Sequence, residues 1–435
     1  MTDRAFDPNA AAVKQRDTLV IGGTYLAGES ITLKINNVDV VITFGTLVTT
    51  AEIAQTIYEA FNANDFTDTT ATVIPQDGAI SVPQFNEIEC TVSGSTLTFL
   101  SRVAGVPFGL SRTLSSASGT ATLNNNVVSA TGPSWFSNQD NWTGNTVPID
   151  GVDISIEDSS QDLSDGLVTA IQPGTFELFM SYTGYIGRRQ RNTTNASQPY
   201  SEGRQKSLQF NDNAGATGKY RLGLGTGPGA AGVRLDFLDG KSQVTVINSA
   251  PARDNIPNML LQGTNADNTL TNLNGSVGVS FYTGEAMTLA SLTNGQQGSG
   301  GANATTVCGS DADLTGCDVN QMSGRLTTNS AIGGTVNIQG GEMHHQRGNI
   351  ATLNHYKGLL AFYDALTITS AYINAKLDCS QTSGTITFTN CEFGPLAEVN
   401  APAGNIAFSN PFTQGEYSPQ RKLNLGPNRT FDVGP

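Results

Sequence analysis

Few side chains in this chain are of the types that do chemistry, and most of them crowd into its last third. The three histidines are His344, His345 and His355, and the acids around them are Asp311, Asp313, Asp318, Glu342, Asp364 and Asp378. A zinc centre needs three or four ligands held by an ordered outer shell. His345 and His355 lie on adjacent strand-like pieces and approach one another if those strands stack, with Glu342 close in sequence. His344 and His345 are consecutive, however, and point to opposite faces of a strand. The set reads as structural, and neither a metal nor a cofactor is expected. Carboxylate pairs that cleave sugar polymers stand roughly 5–9.5 Å apart on one face. The six acids recur in no such pair and sit beside turn residues, where an acid serves turn geometry, so no catalytic residue is assigned. Cys90, Cys308, Cys317, Cys379 and Cys391 are an odd set without a C-x-x-C pair. Cys308/Cys317 and Cys379/Cys391 are candidate neighbours across a turn, and all five read as buried reduced thiols. The run Gly223-Leu-Gly225-Thr-Gly227-Pro-Gly229 imitates a phosphate loop, but Pro228 and the lack of a following helical pattern exclude that role.

The elements that must position these residues are short β-branched and apolar runs cut by glycine. Over Val307 to Gly394, glycine-centred turns fall at Gly324, Gly341, Gly358 and Gly384, with Gly404 next, at spacings of 17, 17, 26 and 20 residues. Periods near 20 residues built of strand-like pieces indicate stacked β-coils, since one coil cannot bury its apolar face without a neighbour. The expected fold is mainly β, a right-handed parallel β-helix (solenoid) preceded by a small α+β domain. Earlier strands are expected at Phe176–Met180, Lys219–Leu224, Val233–Leu238, Val244–Ile247 and Met259–Leu261.

The α+β unit begins at residue 17. Ile31, Leu33 and Ile35 alternate with polar residues, Asn36-Asn37 makes a two-residue turn, and Val38, Val40, Ile42 and Phe44 return as a hairpin. Thr49-Thr-Ala-Glu52 is a capping box that opens a helix with Ile53, Ile57, Ala60 and Phe61 on one face. Further strands are expected at Ala71–Ile74, Ile88–Val92, Thr96–Phe99 and Thr120–Leu123, with the helix laid on one sheet.

Both tryptophans, Trp135 and Trp142, lie just before the alternating Val152, Ile154 and Ile156. The open end of a solenoid exposes apolar side chains and unpaired edges, so bulky aromatics there read as a structural cap; a platform for a sugar ring is the competing use. Arg188, Arg189, Arg191, Arg204 and Lys206 concentrate basic charge in a long polar loop, which reads either as a docking loop for an acidic neighbour or as a solvated excursion. The organisation is an N-terminal arm (1–16) expected to lie on a partner, an attachment domain (17–128), a cap and lead-in (129–158), the β-helix (159–410) and a C-terminal extended strap (411–435).

Composition bounds the function. With 37 acids against 23 bases the formal charge is −14, which argues against nucleic-acid binding because that needs a basic face. No apolar run approaches the roughly 18 residues of a membrane span, and the N-terminus lacks the layout of a secretory signal.

Two segments resemble known proteins. The 17–126 unit, with its Ile31-Thr-Leu-Lys-Ile35 hairpin, capped helix and Leu97-Thr-Phe-Leu100 to Ala104-Gly-Val-Pro-Phe108 segment, resembles a small domain of tailed-bacteriophage virion proteins. The Trp135, Asn141-Trp142, Pro148, Gly151-Val-Asp153 pattern followed by glycine-punctuated strands is similar to the start of β-helices in phage appendages. The resemblance implies a non-enzymatic virion structural protein, a capsid decoration or fibre-like component anchored by its N-terminal region. It would be assembled in the host cytoplasm as a homotrimer that binds other virion proteins. The alternative is a tailspike or adhesin that binds or cleaves host surface polysaccharide.

Overall fold

The computed structural model describes residues 3–36, 38–62, 66–74, 87–169, 171–188, 204–210, 217–297, 303–402, 404–415 and 421–424. After β1 (Arg4–Ala5) in the arm, the N-terminal unit contains β2 (Arg16–Gly23), β3 (Ser30–Ile35), β4 (Val38–Thr43), α1 (Thr50–Asn62), β5 (Thr72–Ile74), β6 (Ile88–Ser93), β7 (Thr96–Ser101), β8 (Leu110–Leu114) and β9 (Gly119–Val128). The hairpin forms with Ile35 opposite Val38, and Asn36 takes the positive φ of 46° that such a turn demands. Asn37 lies outside the described residues. The capping box is reciprocal: the Thr49 N–H donates to the Glu52 carboxylate at 2.9 Å and the Glu52 N–H to the Thr49 hydroxyl at 3.3 Å.

Where one sheet was expected under the helix, there are two four-stranded sheets, β6-β7-β2-β9 and β5-β4-β3-β8. The second depends on β8, whose Leu-Ser-Arg-Thr-Leu sequence buries little more than Leu110 and so carries a weak alternating signal. Both sheets and α1 share one core that includes Leu19, Leu33, Ile42, Ile57 and Phe99.

The rest of the chain is mainly β. Among the described residues, 24 strands form one sheet, paired in parallel from β1 and β10 (Ile154–Ile156) to Lys422–Asn424. Most strands pair with the strand two positions on, so the inward residues run in columns. One column passes through Val244, Leu270, Leu292, Val319, Val336 and Leu353. A second passes through Leu326, Met343, Leu360, Leu377 and Val399, and a third through Ile332, Ile350, Ile368, Phe388 and Phe408. All three belong to or pack against a single apolar core that extends from Phe6 to Ile406.

The glycine spacing has a direct cause in this register. Arg325, Glu342 and Leu359 are paired in sequence, and each is preceded by a glycine with φ of 68°, 69° and 89° respectively. A Cβ on Gly341 would stand 2.4 Å from the Gly324 carbonyl oxygen, and one on Gly358 would stand 2.3 Å from that of Gly341. Both conformation and space therefore demand glycine. The column then continues to Ala375 and Ala397, which precede Lys376 and Glu398 in the same register, and not to Gly384 and Gly404 as spacing alone suggested.

The arm lies on its own chain. Arg4 and Ala5 pair with Ile154 and Ser155 as the first rung, and Phe6 is buried in the stack. The described part of the C-terminal strap also adds rungs, at Thr413–Gln414 and Lys422–Asn424.

Candidate functional site

The junction between the N-terminal unit and the stack gathers the residues singled out for the cap and the basic loop. Trp142 is 1% exposed; its ring meets Phe136 at 4.9 Å and Phe6 at 5.5 Å between centroids, and its indole N–H donates to the Phe136 carbonyl at 2.7 Å. An amphipathic ring can close the apolar end of a stack only if its N–H finds such a partner. Asn141 beside it is fully buried. Its amide donates to the Gly132 and Trp135 carbonyls at 2.9 and 2.8 Å and its oxygen accepts from the Ala10 N–H at 3.0 Å, which fixes the arm against the turn. Trp135 is part-buried and donates from its indole to the Gly105 carbonyl of the N-terminal unit at 2.7 Å.

Arg188 and Arg204 are engaged within the chain. Arg188 is ion-paired with Asp165, which is 4% exposed. Burial pushes the Asp165 carboxyl above its ordinary range and the Arg188 guanidinium opposes that shift. Removing one member of such a pair costs about 3–5 kcal/mol because the other is left charged and desolvated. Arg204 reaches across to the N-terminal unit, donating to Glu87 at 3.2 Å and to the Pro107 carbonyl at 2.9 Å. Lys206 contributes its carbonyl to the Arg188 N–H at 2.7 Å. Arg189 and Arg191 lie outside the described residues. Arg188 and Arg204, together with Asp162, Asp165, Gln161 and Tyr185, line a cavity of about 410 Å³.

A second buried charge cluster had no sequence signal. Arg234, 1% exposed in a strand otherwise buried throughout, is ion-paired with Glu285, and its guanidinium lies 5.3 Å from the centre of the Tyr282 ring. Burial raises the Glu285 carboxyl, against the pull of Arg234. Asp236 on the same strand accepts from the Gln209 amide at 3.0 Å and the Leu238 N–H at 2.9 Å. An outward face is thereby roofed with paired charges that fasten the 281–285 turn and the 206–209 segment.

The histidines do not come together. His345 lies in register with Thr328 and Phe362, and His355 with Ile338 and Ile373 on a different column. His345 accepts from the Thr328 hydroxyl at its Nδ1, 2.7 Å, and donates from Nε2 to the Gly348 carbonyl, 2.7 Å. His355 Nε2 donates to the Gly358 carbonyl at 3.2 Å. His344, on the opposite face of the strand, meets Tyr363 at 2.7 Å and Glu342 at 3.3 Å. No group of three or more potential metal ligands occurs among the described residues.

Asp313 and Asp378 serve turns: Asp313 accepts from the Thr315 N–H and hydroxyl at 3.0 and 2.6 Å, and Asp378 from the Ser380 N–H at 2.9 Å. Asp318 and Asp311 instead tie neighbouring segments, accepting from the Thr335 N–H at 2.8 Å and the Gly284 N–H at 2.6 Å. All five cysteines are free and buried, and burial pushes the Cys379 and Cys391 thiols up to about 12.

Sequence reasoning passed over the polar clasps inside the stack. Asn272, Asn294 and Gln321 are fully buried on one column. The Asn272 amide donates to the Gly275 carbonyl at 2.9 Å, Asn294 to Gln321 at 2.9 Å, and Gln321 to the Ser323 and Gly324 carbonyls at 2.9 and 3.1 Å. An Asn or Gln three residues before a turn glycine was the signal that marked two of them. No protein-family model, curated protein or solved structure matches this chain.

Proposed function

We propose that this chain is a non-enzymatic structural protein of a tailed-phage virion, a capsid decoration or fibre-like component whose parallel stack closes as a right-handed β-helix and serves as a rigid spacer. What carries the reading is the single continuous core from Phe6 to Ile406, spanned by in-register parallel strands. A neighbour on each side fixes every inner rung, so the element resists bending. Its reactive side chains support it as well: Asp313 and Asp378 hold turns, His345 and His355 hold corner carbonyls, and the five thiols are buried. The N-terminal unit, clamped to the stack through Trp135 and Arg204, is the attachment end in this reading, with other virion proteins as partners and a homotrimer as the assembly. Of the two tryptophans a glycan-binding alternative would expose, Trp142 is buried and Trp135 is part-buried. An antibody against the full chain should decorate tailed particles purified on a density gradient from the producing cells. Particles without label, with the protein elsewhere in the gradient, would contradict the proposal.

A further inference from the structure

The interior of the stack uses two kinds of clasp at its corners. In the earlier coils the Asn272 and Gln321 amides donate to the carbonyl three residues on, at Gly275 and Gly324. In the later coils imidazoles do the same, His345 to Gly348 and His355 to Gly358. His355 stands on the very column that carries Asn272, Asn294 and Gln321, separated from them by Ile338. An amide and an imidazole make the same hydrogen bond, but only the imidazole takes up a proton.

We propose that His345 and His355 make the coils from about residue 332 to 400 an acid-opened segment of the stack, in contrast to the earlier coils, which carry no histidine. The geometry gives an added proton on His355 no acceptor and obliges the Thr328 hydroxyl beside His345 to turn round. His345 and His355 are both 0% exposed. His355 Nδ1 is buried without a hydrogen-bond partner and is flanked in register by Ile338 and Ile373. His345 Nδ1 is occupied by the Thr328 hydroxyl, with Phe362 on the other side. No carboxylate is there to neutralise an imidazolium: Arg325, Glu342, Arg347, Lys357 and Lys376 of the surrounding strands and turns are on the exposed side, and part-buried Asp378 is engaged with Ser380 and Asn400. His344 faces outward to Glu342 and Tyr363.

Burial lowers both groups, His355 to about 4, against the opposing hydrogen bonds to Gly358 and Gly348. A histidine depressed in the folded state contributes stability that is present above its unfolded value near 6.5 and is lost as pH falls from there toward 4. The earlier coils contain no histidine, so nothing of this kind is lost there as pH falls from 6.5 toward 4.

The test is amide hydrogen exchange on the full chain at pH 7, 5 and 4, corrected for intrinsic rates. Protection over 350–400 should fall roughly a hundredfold relative to 218–294 between pH 7 and pH 4. His345→Gln with His355→Gln, which keeps an amide clasp at each corner, should remove that difference. Equal loss in both segments, or an acid response that persists in the double variant, would overturn the proposal. Should the double variant not fold, the His355 imidazole resonance of the unaltered protein decides: titration toward 4 supports the proposal and titration near 6.5 ends it.

Discussion

From Tyr220 to Val319 the paired residues of successive rungs are 22 to 27 positions apart, whereas from Val319 to Ala371 the offset is 17 or 18. The two regions differ inside as well. The earlier coils and their cap hold a run of touching aromatics, with Phe136 at 4.9 Å from Trp142, Phe210 at 5.4 Å from Tyr220 and Tyr220 at 4.6 Å from Phe237. Between Val319 and Ala371 the inward residues are largely Ile, Leu, Val and Met, with Phe362 among them, and touching rings return beyond at Phe388, Phe393, Phe408 and Phe412. The longer offsets leave chain for excursions such as the 281–285 turn. Where the offset is 17, Gly324, Gly341 and Gly358 repeat in register at one corner with positive φ, whereas side-chain clasps, at Asn272, Gln321, His345 and His355, occur in both regions.

Substitutions can break this contrast. Trp142→Ala should have the largest effect, about 3–5 kcal/mol, because it empties the aromatic end and strands the Phe136 carbonyl. Hydrogen exchange should show the loss in β1, β10 and the first coils, with 350–400 nearly unchanged. Gly341→Ala should cost about 1–3 kcal/mol through its positive φ, with the 2.4 Å approach to the Gly324 carbonyl adding to it, and the loss should be confined to the short coils. The comparison residue is Gly28, φ 87° with nothing within 4 Å of an added Cβ, where only the conformational part of the penalty should remain. Thr49→Ala should be the smallest, roughly 1 kcal/mol for a lost cap, read as faster exchange in the first turn of α1 with no change in the stack.

What the sequence made legible follows the same division. The Asn36 hairpin, the Thr49 box and the Gly324, Gly341, Gly358 column rest on local backbone demands, and local demands leave a residue-type signature. The expected strands at Val233, Val244 and Met259 emerged for the same reason, as alternating or apolar runs. The first rung is different: Arg4 and Ala5 find partners about 150 residues away, and nothing in a polar arm announces them. Arg234 looked like any strand arginine until the turn carrying Tyr282 and Glu285 covered it. Arg188 and Arg204 looked like a free basic patch because their acids, Asp165 and Glu87, are remote in sequence. An approach of His345 to His355 stayed open because spacing does not say that they lie on separate columns.

The parallel strands form one unbroken ladder, and a distance along it is the most direct test. Arg221 and Glu392 are both exposed and stand eight paired steps apart on one column, through Thr245, Thr271, Thr293, Asn320, Asn337, Asn354 and Tyr372. With strands about 4.8 Å apart, backbone positions on the two rungs should lie about 38 Å from one another. Spin labels on Arg221→Cys and Glu392→Cys, with the five native thiols buried, should give one narrow dipolar distribution near that value. A broad distribution, or a maximum displaced by several rungs, would contradict a continuous rigid stack.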